Sequence, residues 1–225
     1  MKIVDLTLPL YDGLQSFPGH PKITVIDFVT HSFSAPRYIA PCRGYASKLI
    51  MMSDHSGTHL DAPFHFFENG LTIDEVPLER TVGEAVFIDV SDKRHDKTIT
   101  AAMLEKRLKK DQNEVREGDI VLIRTWDGEW NGPGFHTAAG LGLSAAKWLT
   151  GRKVKAVGID LSNADTTSDM SRPSHMQLLG NAIGIMENLV NLDQLSKKRF
   201  FFAGIPLKIK GLSGSPIRAI AIEEW

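Results

Sequence analysis

The sequence is short of the residues that staple, anchor or charge a protein. Its 225 residues include one cysteine, Cys42, which excludes an intramolecular disulfide and any thiolate-built zinc site. Acid and base nearly cancel, with 27 Asp+Glu against 26 Lys+Arg, so no net basicity favours nucleic acid or an anionic membrane as partner. No apolar run approaches the ~20 residues that span a bilayer. Asp5 and Pro9 interrupt the apolar N-terminal stretch, so no signal peptide is expected, and the expected location is cytoplasmic with Cys42 reduced. There is no Gly-x-Ser-x-Gly elbow: Gly211-Leu212-Ser213-Gly214-Ser215 misses that spacing by one residue. Gly140-Leu141-Gly142 lacks the third glycine of a dinucleotide-binding turn.

What is present describes an ordinary folded chain. An apolar fraction of 42% and a charged fraction of 24% exclude global disorder. At this length one domain over residues 1–225 is expected. Apolar runs bounded by turn residues predict strands over 3–8, 23–28, 47–52, 85–90, 120–124, 156–161, 200–205 and 217–222. Several are continuous, such as Ile120-Val121-Leu122-Ile123, which suits strands covered on both faces. Helical spacing predicts helices over 100–110 with Thr100 as N-cap, over 144–149 with Ser144 as N-cap, and over 178–190. The expected class is α/β with a mixed central sheet. Segments 9–21 and 127–140, rich in Gly, Pro and aromatics, read as loops that can face a substrate.

The abundant reactive residue is histidine, eight in all, and three fall in His55-Ser56-Gly57-Thr58-His59-Leu60-Asp61-Ala62-Pro63-Phe64-His65. Uniform scatter would place roughly 0.4 in such a window. Gly57 and Pro63 argue against one continuous helix. A turn at Gly57 followed by extended chain puts His59, Asp61 and His65 on one side and lets His55 fold back toward them. Imidazoles with a carboxylate suit Zn²⁺ or Mn²⁺ with open coordination positions, and an Asp is able to bridge two ions. Downstream, His175 and Glu187 are separated by twelve. By pattern alone Glu187 fits the solvated face of an amphipathic helix better than a buried ligand position.

These residues carry a resemblance. His55–His65 is similar to the His-x-Gly-Thr-His-x-Asp-x-Pro-x-His signature of the metal-dependent cyclase family, which includes bacterial-type kynurenine formamidases and isatin hydrolases. The resemblance extends to Asp5-Leu6-Thr7-Leu8-Pro9-Leu10, Phe17-Pro18-Gly19-His20-Pro21, Val157-Gly158-Ile159-Asp160, Pro206-Leu207-Lys208 and Ser215-Pro216-Ile217-Arg218-Ala219. It implies a swivelling β/β/α fold and a homo-oligomer, dimer or tetramer, with pockets near subunit interfaces. It further implies one ion on His55, His59 and Asp61, and a second on Asp61, His175 and Glu187, with His65 as catalytic acid/base. The implied reaction is hydrolysis of a C–N amide bond by metal-activated water, on an aryl formamide such as N-formylkynurenine, a step of tryptophan catabolism. Phe17, Phe66, Phe67 and Trp126 are candidate walls for a flat aromatic substrate. Position 181, where formamidases often have His, is Asn, which takes up no proton, and Phe17 stands where they often have Trp. Hydrolysis of a cyclic amide or lactone therefore stays open beside the formamidase reading, as does a non-catalytic metal-binding module.

Overall fold

The sheet grows from two kinds of strand, short buried ones and long two-faced ones. A computed structural model describes residues 1–92 and 95–224. Ten strands are present among these: β1 (Lys2–Asp5), β2 (Thr24–Val29), β3 (Ser47–Met51), β4 (His59–Asp61), β5 (Val82–Asp89), β6 (Ile120–Arg124), β7 (Ala156–Ile159), β8 (Gly184–Glu187), β9 (Arg199–Pro206) and β10 (Gly214–Glu223). The α-helices are α1 (His31–Ser34), α2 (Ala101–Lys110), α3 (Leu143–Gly151) and α4 (Pro173–Leu179).

β5, β6, β7 and β8 run parallel, linked through α2, α3 and α4 in turn. β4, β10 and β9 complete the ring antiparallel, and β9 returns to β5. Seven strands thus close on themselves in the order β10-β4-β8-β7-β6-β5-β9. The ten-residue β10 makes closure possible: Gly214–Pro216 pair with β4, Ile217–Ile222 with β9, and Ile220–Glu223 also carry β1. The ribbon β2–β3 stands apart as a second sheet. This is the expected α/β class with a mixed sheet.

Alternation sorts the strand residues into two cores. Val86, Ile88, Val121, Ile123, Val157, Ile159 and Ile185 pack with Leu104, Ala145, Leu149 and Leu178 of the helices. Ala85, Phe87, Ile120, Leu122, Met186 and Leu60 pack with Phe202, Ala219 and Ala221 on the face that closure turns inward. Burial on both faces is why these strands read as unbroken apolar runs.

Two helix expectations change. The stretch 178–190 is not one helix: α4 ends at Leu179, Ala182 adopts φ 55°, and β8 follows. Ile185 and Met186 are neighbours buried in opposite cores, which a strand permits. The helical spacing of Ile183, Met186 and Val190 is a coincidence of a short central strand that lacks polar alternation. The other helix starts one residue early, with Gly142 as N-cap. Ser144 lies inside it, its Oγ accepting from Ala101 N–H at 3.4 Å. Thr100 does cap α2, accepting from Met103 N–H.

The end of β10 carries a titrating anchor. Glu223 is 1% exposed and accepts from Ser196 N–H and Oγ–H and from Lys197 N–H at 2.7–2.8 Å, with Lys2 Nζ at 2.9 Å. Burial pushes its carboxyl up, but these donors together bring it from 4.5 down to about 2. A depressed carboxylate stabilises the fold above its unfolded value and loses that contribution as pH falls from about 4.5 toward about 2. Glu223→Gln is expected to lower Tm at pH 7 by several degrees, from ~1–3 kcal/mol of weakened buried hydrogen bonding. The same variant is expected to leave Tm at pH 2 nearly unchanged. Thermal melts at both pH values check this, and an equal loss at both would contradict it.

Candidate metal centre

β4 places two site residues on one face by alternation. In its antiparallel pairing with β8, His59 lies opposite Glu187 and Leu60 opposite Met186. Leu60 and Met186 enter the inner core, so His59, Asp61 and Glu187 face the other way, toward α4 and His175. His55 reaches the same point because Gly57 takes φ +65°, a conformation costly for residues with a Cβ. Here a Cβ would also lie 2.2 Å from Leu10 Cδ2. The close approach of β10 matters as well, since a Cβ on Gly214 would lie 2.7 Å from the His55 ring.

His55, His59, Asp61, His175 and Glu187 are all buried and His65 is half-buried. One ligand atom from each of His55, Asp61 and His65 lies within 4.8 Å of the others, and so does one from each of His59, Asp61 and Glu187. Asp61 belongs to both groups. His55 Nδ1 is 2.7 Å from Asp61 Oδ1. His59 Nε2 lies 3.3 Å from Asp61 Oδ1 and 3.6 Å from Glu187 Oε2, and His175 Nε2 lies 3.5 Å from Asp61 Oδ2 and 3.3 Å from Glu187 Oε1.

These four longer separations exceed the ~2.7–2.9 Å of charge-assisted hydrogen bonds. Two of them, at 3.3 Å, match the roughly 3.0–3.4 Å between ligand atoms that share one ion at bonds of about 2.1 Å, and the other two, at 3.5 and 3.6 Å, lie just beyond it. Among the described residues, the buried side-chain polar atoms without a hydrogen-bond partner are Asp61 Oδ2 and His20 Nδ1, and both residues belong to this site. The imidazoles are also oriented for ligation. His59 Nδ1 donates to Gly57 O at 2.9 Å and His175 Nδ1 to Asp165 Oδ2 at 2.6 Å, so each presents Nε2 to the carboxylates. The residues fit a divalent cation.

The electrostatics agree with that fit. Burial pushes His59 down, but Asp61 and Glu187 carry it up to about 9. Burial likewise opposes charge on His175, yet Asp165, Asp61 and Glu187 raise it well above the usual range. Burial pushes Asp61 up, and His55, His175 and His59 hold it well below the carboxylate range. The site thus concentrates negative charge that requires cations, protons or a metal. His65 differs: burial depresses it, and among the described residues its ring makes no hydrogen bond, stacking on His55 at 4.0 Å between centroids.

Beside these residues opens a cavity of about 150 Å³ lined by His55, His59, His65, His175 and Glu187 together with Phe17, His20, Phe66, Ser162, Asn163 and Arg172. Two of the four expected aromatic walls, Phe17 and Phe66, are therefore here. Phe67 packs against the helix-side core beside Gly180. Trp126 is buried in that core, stacked near His95 and Phe135 with Nε1–H donating to Glu129 O, and it lines a separate surface cleft. Asn181 is exposed and donates to Gln177 O, away from this cavity's lining.

Sequence reasoning missed the supporting layer. Asp165 orients His175, Ala164 N–H donates to Glu187 Oε1 at 2.6 Å, and Ser213 Oγ sits 2.8 Å from His55 Nε2. These are single loop residues, Ala164 acting through its backbone, and no local pattern marks them. For His20 the available signal is its place within the Phe17–Pro21 turn.

The Cyclase family model matches residues 4–166. The chain is 31% identical to a kynurenine formamidase of Bacillus cereus over 219 residues, covering 96% of this chain and 95% of that one. It is 29% identical to the kynurenine formamidase of Bacillus cytotoxicus over the same length, with the same coverage of each chain. Among solved structures it superposes on isatin hydrolase A from Ralstonia solanacearum with a TM-score of 0.81 and 28% identity, covering 98% of this chain and 91% of that one.

Proposed function

Because the chain belongs to the Cyclase family, we propose that it is a metal-dependent hydrolase of a non-peptide C–N amide bond, with an aryl formamide such as N-formylkynurenine as substrate. The observation that carries this reading is the six-residue cluster whose central carboxylate oxygen, Asp61 Oδ2, is buried without a hydrogen bond among the described residues, beside an open, aromatic-walled cavity. A structural metal site is closed by protein ligands, whereas a catalytic one keeps an open side. The cavity supports the catalytic reading over a metal-binding module.

His55, His59, Asp61, His175 and Glu187 would hold the metal, zinc by preference and manganese as the alternative. Asp61 would be shared if two ions bind. A divalent cation there would supply Lewis acidity, lowering the pKa of water toward about 7 and stabilising negative charge on a carbonyl oxygen. The chain's residues do the rest. Asp165 and Gly57 O fix the tautomers of His175 and His59. Phe17 and Phe66 flank a flat ring. His65, which lines the cavity and whose ring has no hydrogen bond among the described residues, would pass a proton to the departing nitrogen, which an aryl amine needs in order to leave.

The overlay on an isatin hydrolase supports a second reading, opening of a cyclic aryl amide by the same residues. Assays with N-formylkynurenine and isatin, on protein stripped of metal and then reloaded with Zn²⁺ or Mn²⁺, separate the two. Metal-dependent turnover of the formamide exceeding that of isatin is expected, and the reverse ratio would favour the cyclic substrate. The formamidase reading places the enzyme in tryptophan catabolism and in the cytoplasm. No helix among the described residues is long and apolar enough to cross a membrane.

A homo-oligomer completes the reading. The ribbon β2–β3 exposes Ile26, Phe28, Leu49, Ile50 and Met51, Phe28 being 73% exposed. Exposed apolar side chains gathered on one two-stranded ribbon favour burial against a partner. Light scattering is expected to return a dimer or larger, and a monomer at micromolar concentration would contradict it.

A further inference from the structure

Arg172 enters the site from the loop between β7 and α4, immediately before Pro173. It adopts φ 47° and ψ 53°, the left-handed region that residues with a Cβ avoid unless the surroundings impose it. The imposed conformation leaves a half-buried arginine on the wall of the metal cavity, across the same lining as Phe17, Phe66, Ser162 and Asn163.

The guanidinium there is only partly satisfied. Nη1 donates to the carbonyls of Thr166 at 3.4 Å and Thr167 at 3.1 Å, and Nη2 meets the Met170 thioether at 3.9 Å, a weak acceptor. Nε has no partner among the described residues. Arg107, Arg124, Arg199 and Arg218 each pair with a carboxylate, whereas among the described residues no carboxylate comes within ion-pair distance of Arg172. A guanidinium stays charged at any working pH and offers a planar two-donor edge that matches a carboxylate. Among the described residues that edge, Nε and Nη2, holds only the weak Met170 contact. The carbonyls of Thr166 and Thr167 hold the other side of the group and so limit the freedom lost when the edge is filled.

We propose that Arg172 is the specificity-determining residue of this site and that it binds a carboxylate on the substrate. The substrate class is then an aryl amide that carries a carboxylate on its ring or side chain, rather than a neutral anilide. This rests on the amide-hydrolase reading above, and the experiment separates the two.

Metal-loaded full-length protein is assayed with 2-formamidobenzoate and with neutral formanilide, as wild type, Arg172→Met and Arg172→Lys. The wild type is expected to favour the carboxylate substrate. In Arg172→Met the ratio of kcat/KM between the two should fall by roughly 10–100-fold, as expected for lost charge-assisted hydrogen bonds. The fall should come through KM, and Arg172→Lys should recover part of it. Binding of 2-aminobenzoate against aniline, read by calorimetry on the same metal-loaded proteins, needs no turnover. Wild type should bind the carboxylate probe roughly 10–100-fold more tightly than Arg172→Met does. If wild type hydrolyses neither amide, the hydrolase reading fails while the binding difference still supports Arg172 as the carboxylate site. An unchanged substrate ratio, or equal binding of 2-aminobenzoate by wild type and Arg172→Met, would overturn the proposal.

Discussion

Asp61→Asn is expected to remove the metal and the hydrolytic activity together. Asp61 is the residue common to both ligand groups, and its two oxygens lie within 2.7–3.5 Å of nitrogens on His55, His59 and His175. An amide keeps the shape and loses the charge. Its NH₂ half is a donor turned toward groups that are themselves positioned to face a cation. Even supporting residues around metal ligands typically change affinity by about 10–100-fold, so loss of a shared ligand should exceed roughly 100-fold. Activity should fall by at least about 10³-fold, because the ion contributes several kcal/mol at about 1.4 kcal/mol per factor of ten. Metal analysis after gel filtration checks the first figure and turnover the second, with circular dichroism establishing that the variant is folded. Full metal content in Asp61→Asn would contradict the assignment.

His65→Gln is expected to behave in the opposite way, keeping its metal and losing about 10²–10⁴ in kcat, the usual range for one general acid or base. Position is the reason. His65 stacks on His55 and lines the cavity, yet among the described residues its ring accepts and donates no hydrogen bond. The loss should shrink for amides whose leaving amine needs little protonation, such as a nitroanilide, and should barely move KM. His65 also lies within 4.8 Å of His55 and Asp61, so metal content is the deciding number. If His65→Gln loses its metal, His65 is a ligand and the proton must come from another residue.

The parts of this molecule that could be read in advance are those where local pattern and final environment coincide. Ile120–Arg124 is a strand in the chain as it is in the sequence, because four consecutive β-branched or leucine side chains find apolar neighbours on both faces. The turn at Gly57 was legible because glycine tolerates the conformation that brings His55 beside Asp61. β8 was not legible. Glu187 is paired with His59 across two strands that are distant in sequence, and four buried residues have no periodicity to display. The bounds of α4 are equally silent in the sequence, since they are set by the backbone at Arg172 and Ala182. Asp165, His20 and Arg172 escaped because their significance lies in what they face after folding.

The most direct test of the account is turnover of N-formylkynurenine by one preparation measured in three states: as purified, after chelation, and after return of Zn²⁺ or Mn²⁺. Activity is expected to disappear on chelation and to return with about one to two ions per chain bound at the Asp61 cluster, the number that one or two sites sharing that carboxylate allow. Full amide hydrolysis by the metal-free protein would contradict it.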